Sequence, residues 1–305
     1  MGDSFIAAVV QAAPIWLNRE ATVEKACRLI AEAAADGARL IAFPESFIPA
    51  FPYGALHQGF EPNRDFFRSL FKQAVEIPSP AVAQLAQAAQ QAHAIVVIGL
   101  TERSGGSLYN TQVFINEDGE LLGHRRKLKP TNTERLFWGQ GDGNGLTVYP
   151  TSIGRIGGLI CGEHNLALAR YALQTQAEEI HIASYPDPLM EGRPFSDRID
   201  AAVRHYAAEG QCFVLNATGF ISDEIRHAVY STPELEALAT PNNGSGLSGI
   251  LDPFGQYIAG TLVDKEGILL AEIDREQIID AKYWFDPPGH SGRADIFQFG
   301  VNRSH

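Results

Sequence analysis

Short apolar runs alternate along the chain with longer stretches whose apolar residues recur at helical spacing. Phe5 to Ala13 reads as a strand ending at Pro14. Val23, Ala26, Cys27, Ile30 and Ala34 mark one helix face, stopped by Gly37. Leu40 to Phe43 is a short buried strand, and Phe66 to Ala74 a helix. Ser79-Pro80 is an N-cap and first-turn pair for a helix carrying Val82, Leu85, Ala86, Ala89 and Ala92. Strands follow at Ile95 to Leu100 and Tyr109 to Ile115, with Asp118-Gly119 turning a hairpin into Leu121 to Arg126. Ile156 to Ile160 leads into Cys161, and Leu166, Leu168, Ala169, Ala172 and Leu173 then recur at helical spacing. Ile180 to Ser184 is a strand. Pro194 opens a helix with Ile199, Ala202, Val203 and Tyr206 inward, and Cys212 to Asn216 is a strand. Residues 222 to 245 read as a polar loop serving as lid or rim. Leu247 to Leu251, Tyr257 to Ile258, Ile268 to Ile273 and a helix at Gln277 to Tyr283 complete the chain. The hairpin among these alternations points to an α/β fold with mixed rather than purely parallel sheets.

Composition narrows the class. With 305 residues, 45% of them hydrophobic, and no strong linker, residues 1–305 read as a single domain. No apolar run reaches the roughly 18 residues that span a bilayer. No basic region precedes the first apolar stretch, so a signal peptide is not expected. The net charge of −12 argues against nucleic acid or an anionic membrane as partner. Three widely separated cysteines, Cys27, Cys161 and Cys212, fit free thiols in a reducing, cytoplasmic setting. The nine histidines show no metal-ligand spacing, and the GQGDGNG tail of residues 139–145 lacks the Lys-Ser/Thr of a phosphate loop. No metal and no cofactor are expected.

Candidate chemistry lies where strands end. Cys161 sits between a strand and a helix, where backbone N–H groups lower a thiol pKa and bind developing negative charge. Buried structural cysteine is an equally good reading of that residue alone. Gly162 leaves space beside the sulfur. Glu45, just past the strand at Leu40, is placed as sites of open α/β sheets are, although by itself it reads more readily as an ordinary loop acid. Phe51 and Tyr53, in the aromatic, proline-rich segment FIPAFPY, line an apolar pocket or pack a loop. The run HRRKLKPTNTER, residues 124–135, is basic in an acidic protein; strand alternation puts Lys127 and Lys129 on one face, with Arg126 and Leu128 on the other.

FPES around Glu45, HRRKLKPTNTER around Lys127 and LICGEHNLALAR around Cys161 together resemble the nitrilase, or carbon–nitrogen hydrolase, superfamily, over nearly the whole chain. KLKPTNTERLFWGQGDG and DPPGHSGRADIF resemble its nitrilase branch. The resemblance implies a four-layer α-β-β-α sandwich, commonly paired into a homodimer or a larger homo-oligomer. It implies Cys161 as nucleophile, Glu45 as general base, Lys127 as the positive charge for an anionic tetrahedral species, and Glu134 as the carboxylate that holds Lys127. The implied substrate is a small-molecule nitrile, hydrolysed to the acid and ammonia, with Phe51, Tyr53 and Gly162 beside it. An amidase-type hydrolase or a cyanide-hydrolysing enzyme would use the same residues, whereas a non-catalytic binding protein on this fold would need no reactive thiol. Two positions depart from the family pattern. Gly162 stands where a tryptophan is usual, and Ser291-Gly292-Arg293-Ala294-Asp295 replaces the usual Tyr-Ser-Arg-Pro-Asp.

Overall fold

The computed structural model describes residues 4–53, 60–188, 193–230 and 245–303. Its strands are β1 (Phe5–Gln11), β2 (Ala38–Ala42), β3 (Ile95–Ser104), β4 (Ser107–Ile115), β5 (Leu121–Arg126), β6 (Tyr149–Thr151), β7 (Gly154–Ile160), β8 (Ile180–Tyr185), β9 (Phe213–Thr218), β10 (Ser248–Leu251), β11 (Tyr257–Leu262) and β12 (Gly267–Ile273). Its helices are α1 (Arg19–Ala35), α2 (Phe60–Gln73), α3 (Pro80–Ala92), α4 (Ala167–Gln174), α5 (Arg193–Gly210), α6 (Asp223–Val229) and α7 (Glu276–Trp284). The strands form two six-stranded sheets, ordered β12-β1-β2-β3-β4-β5 and β11-β10-β9-β8-β7-β6. Both are mixed. β1, β2 and β3 run parallel in the first sheet, as do β7, β8 and β9 in the second, with antiparallel strands outside them.

Three apolar layers stack the elements. Val9, Leu40, Val97 and Phe114 of the first sheet meet Ile156, Ile182, Leu215 and Ile250 of the second. On the outer face of the first sheet, Ala8, Ile41 and Val96 pack against Val23 and Ile30 of α1 and Val82 and Leu85 of α3. On the outer face of the second, Leu159, Ala183 and Val214 pack against Ala172 and Leu173 of α4 and Ile199 and Val203 of α5. The order is α-β-β-α, as the resemblance implies. Central strands covered on both faces must be apolar throughout, which is why β1 and β3 read as continuous runs rather than alternations.

Local signals set several boundaries. The Asn18 side chain accepts from Ala21 N at 3.1 Å and Ser79 from Val82 N at 3.4 Å, capping α1 and α3. Gly119, at φ +79°, supplies the left-handed residue of the β4–β5 hairpin. The segment from 222 is not all loop. Ser222 caps α6 by accepting from Ile225 N, and Ile225 and Val229, one turn apart, are buried; two apolar positions are too few to register as a periodic face. The rest of the expected lid, residues 231–244, lies outside the described residues. In α4, Ala169, Ala172 and Leu173 face the sheet, while Leu168, and Leu166 just before the helix, are exposed. Among the described residues no helix is long and apolar enough to cross a membrane.

Polar bonds also join the sheets. Gln112 Nε2 in β4 donates to Ser184 Oγ in β8 at 2.8 Å, and Ser184 Oγ donates to Phe43 O at 3.1 Å. Glycines in β7 leave room for polar side chains: a Cβ on Gly158 would lie 2.8 Å from Gln112 Oε1, and one on Gly157 only 2.1 Å from Glu178 Oε1. Gly157→Ala should therefore cost about 1–3 kcal/mol through overpacking. A lower urea midpoint would show it, and a parental midpoint would mean that the buried carboxylate yields freely.

Candidate active site

Four polar side chains meet where strands of both sheets end. Glu45 follows β2 and Lys127 follows β5 directly. Glu134 lies in a 3₁₀ turn, Asn132–Leu136, and Cys161 opens another, Cys161–Asn165, immediately after β7. All four are buried. Lys127 Nζ donates to Glu45 Oε1 at 2.8 Å and to Glu134 Oε1 and Oε2 at 3.0 and 2.8 Å. Asn110 Nδ2 of β4 donates to the same Glu45 oxygen at 2.6 Å. The other, Glu45 Oε2, is buried without a hydrogen-bond partner among the described residues. One oxygen of each carboxylate and the Cys161 sulfur lie within 4.8 Å of one another.

Such a trio resembles a cation site, but the Lys127 ammonium already bonds both carboxylates, so the lysine supplies the positive charge there. Burial alone would discharge this lysine; Glu134 and Glu45 outweigh burial and hold its pKa well above normal. Burial pushes Glu45 up to about 7, Lys127 opposing the rise and Glu134 adding to it. Burial, then the Glu45 charge, holds the Cys161 thiol well above its usual range. The free site thus carries a thiol rather than a thiolate, beside a carboxyl that gains and loses its proton near neutrality.

The turn carrying Cys161 differs in detail from a strand entering a helix. α4 begins only at Ala167, so it is the Gly162 N–H of the 3₁₀ turn, not a helix N-terminus, that favours the charged form of the sulfur. Cys161 has φ +48°, a left-handed conformation that a non-glycine residue adopts only when its surroundings enforce it. Glu163 provides much of that enforcement. Its carboxylate accepts from Ile160 N and Leu128 N at 2.8 and 2.7 Å and pairs with both guanidinium ends of Arg125 at 2.7 and 2.6 Å. One buried glutamate thus ties the turn after β7 to the segment that carries Lys127. Strand alternation does not extend to Lys129, because β5 ends at Arg126; Lys127 is buried and Lys129 exposed.

A cavity reaches Cys161, lined among others by Phe51, Thr131, Glu134, Gly162, Tyr185 and Ile199. Phe51 and Gly162 stand on its wall as the sequence suggests. Tyr53 does not: it packs behind Phe51, ring centroids 5.1 Å apart, and its hydroxyl accepts from Asp187 N at 3.1 Å. A Cβ on Gly162 would meet Thr131 Oγ1 at 2.7 Å, so the threonine occupies the space a side chain there would need.

A model of the carbon–nitrogen hydrolase family matches residues 6–283. The chain belongs to that family. It is 40% identical to a nitrilase of Paraburkholderia phymatum, covering 97% of this chain and 86% of that one. It is 38% identical to an aliphatic nitrilase of Rhodococcus rhodochrous, over 99% and 84% of the two chains. Among solved structures, a Saccharomyces cerevisiae member of branch 10 of the nitrilase superfamily superposes with TM-score 0.74 at 20% identity, covering 95% and 96%.

Two site residues of this hydrolase escape a reading by sequence. Asn110, with Thr111 and Gln112, makes three successive buried polar residues within β4, a pattern that marks a strand facing polar groups. Tyr185 ends β8 as Cys161 follows β7; its buried hydroxyl lacks a hydrogen-bond partner among the described residues, and the residue lines the cavity. Glu163→Gln removes the charge that neutralises buried Arg125. Breaking such a pair costs about 3–5 kcal/mol, so thermal denaturation should show a large loss; a variant as stable as the parent would remove Glu163 from its structural role.

Proposed function

We propose that this hydrolase is a nitrilase, converting a small organic nitrile and two waters into the carboxylic acid and ammonia. The observation that carries the reading is the buried set of Cys161, Glu45, Lys127 and Glu134 beside one cavity. Nitriles are favoured over amides as substrates because several relatives at 38–40% identity are nitrilases by name.

A buried thiol this weakly acidic must lose its proton as it attacks, and Glu45 is the base: both it and Glu134 are near the sulfur, but both Glu134 oxygens accept from Lys127, whereas Glu45 Oε2 has no partner among the described residues. The Cys161 sulfur bonds to the nitrile carbon, the nitrogen gains a proton, and a thioimidate results. Water adds to that carbon after giving a proton to Glu45. The tetrahedral species expels protonated nitrogen as ammonia and leaves a thioester, which a second water hydrolyses to the acid, returning the thiol. Lys127 and the Gly162 N–H stabilise the negative charge that develops at each addition. Glu134 holds the Lys127 ammonium in place. Phe51, Gly162 and Thr131, on the cavity wall, face the rest of the substrate.

The reading extends to the setting. Three free cysteines suit a reducing cytoplasm. Tyr283, Trp284, Phe285, Ile296 and Phe297 are exposed near the C-terminal end, an apolar surface suited to burial against a second copy in a homodimer or larger homo-oligomer.

A panel of nitriles and amides, with ammonia, acid and amide quantified, tests the function. Acid should be the main product from at least one nitrile, and folded Cys161→Ala should release no ammonia. Turnover of amides but no nitrile would make the protein an amidase instead. The rate should also report Glu45. Below pH about 7 the carboxyl is protonated and cannot accept the thiol proton; above it, the base is ready. kcat/KM on the best substrate should therefore rise through pH about 7, and Glu45→Gln should lower it by ~100-fold or more. A flat profile across that range would remove Glu45 as the base.

A further inference from the structure

Behind the nucleophile runs a buried chain of polar groups that the reaction above does not use. His164 Nδ1 lies 2.8 Å from the backbone oxygen of Cys161. His164 Nε2 lies 3.0 Å from His181 Nε2, and His181 Nδ1 lies 2.8 Å from Glu178 Oε1. The second Glu178 oxygen accepts from the Tyr206 hydroxyl at 2.5 Å. His164, His181, Glu178 and Tyr206 are all buried.

The direction of every bond follows from one end. A carbonyl oxygen only accepts, so His164 Nδ1 must carry a proton. In a neutral imidazole Nε2 is then a lone pair, and His181 Nε2 must donate to it. By the same logic His181 Nδ1 is a lone pair, and Glu178 must donate. Three contacts therefore need three protons. Two neutral imidazoles bring two, and the third belongs to Glu178 or is passed from it to His181. We propose that Glu178, His181 and His164 form a one-proton relay of positioning residues whose last bond, His164 Nδ1–H to the Cys161 carbonyl, holds the nucleophile in its left-handed turn. Loss of the proton leaves two acceptors facing each other in one of the three contacts, and the hold on Cys161 weakens.

The surroundings favour a proton on the acid. Burial raises Glu178 to about 8, opposed by the Tyr206 hydroxyl. Burial lowers His164 to about 3 and His181 well below its usual value. Tyr185 stacks on the His164 ring at 4.9 Å and Tyr206 on the His181 ring at 3.6 Å. The charges that bear on the rings are Arg125 and Glu163, which pair with each other. Glu178 itself bears on the Cys212 thiol, on which Lys282 and Glu209 also act.

The relay predicts an alkaline fall in kcat as the proton leaves Glu178, separate from the acid limb set by Glu45. Glu178→Ala should lower kcat by about 10- to 100-fold at every pH, the scale of a buried partner lost. Glu178→Gln should restore most of that loss, because its amide N–H donates to His181 at any pH while its oxygen accepts from Tyr206. Its alkaline limb should move up by about one pH unit or more, since no proton remains to lose. A Glu178→Gln profile superimposable on the parent would overturn the relay, as would a glutamine no better than alanine in folded protein. A second measurement needs neither a variant nor a substrate, so it stands apart from the nitrilase reading. Ring-nitrogen NMR of the histidine-labelled parent should find the His164 proton on Nδ1 at pH 7 and a change of that pattern above pH about 8. A neutral His164 protonated on Nε2 at pH 7 would overturn the proposal.

Discussion

A lysine ammonium shut away from water is tolerable only with opposite charge in contact, and Lys127 imposes that condition on everything around it. Glu45 and Glu134 satisfy it jointly, from different segments of the chain, and removing both would strand a cation in the interior. Burial raises Glu45 toward neutrality against the pull of Lys127, Glu134 adding to the rise, and burial together with the Glu45 charge discourages a thiolate at Cys161. The proton economy suited to hydrolysis near neutral pH thus follows from the electrostatics of burial. Asn110 adds a neutral donor to Glu45 that favours its charged form.

A second ion pair, Arg125 with Glu163, has a different task. It sits two positions from Lys127 on one side and two from Cys161 on the other, entirely buried, with both carboxylate oxygens also held by backbone N–H groups. Its geometry fixes the approach of two loops rather than the chemistry between them. Gly162 and Thr131 complete that approach, since the threonine hydroxyl fills the space a side chain at 162 would occupy. The glycine is therefore matched to this chain's own Thr131, and its exchange for a bulky residue concerns both positions.

The elements that carry periodic or unbroken apolar patterns are legible in the sequence: the strands that lead to Glu45, Lys127 and Cys161, and the helices packed outside them. What the pattern could not reveal was pairing across space. Asn110 is an ordinary strand asparagine until the fold brings β4 to the segment after β2 that carries Glu45. His164 and His181 fit no ligand spacing because they meet through the tertiary fold. Lys129 looked equivalent to Lys127 because nothing local says that β5 stops at Arg126. Tyr53 shares an aromatic loop with Phe51, yet its hydroxyl is drawn to Asp187 N, away from the cavity. Apart from the end of β5, each of these concerns a contact between distant segments, which period-based reading cannot register.

Glu45 and Lys127 ride on one sheet and Cys161 on the other, so the groups proposed to react span the central interface of the sandwich. Bonds from Gln112 to Ser184 and from Ser184 to Phe43 cross the same gap. Catalysis in this architecture acts as a caliper for the spacing of the two sheets: a sub-ångström slide of one over the other would misalign sulfur and carboxylate while leaving every strand and helix intact. Pressure, cosolvents or distant core substitutions that loosen the central layer would then silence the enzyme well before they unfold it.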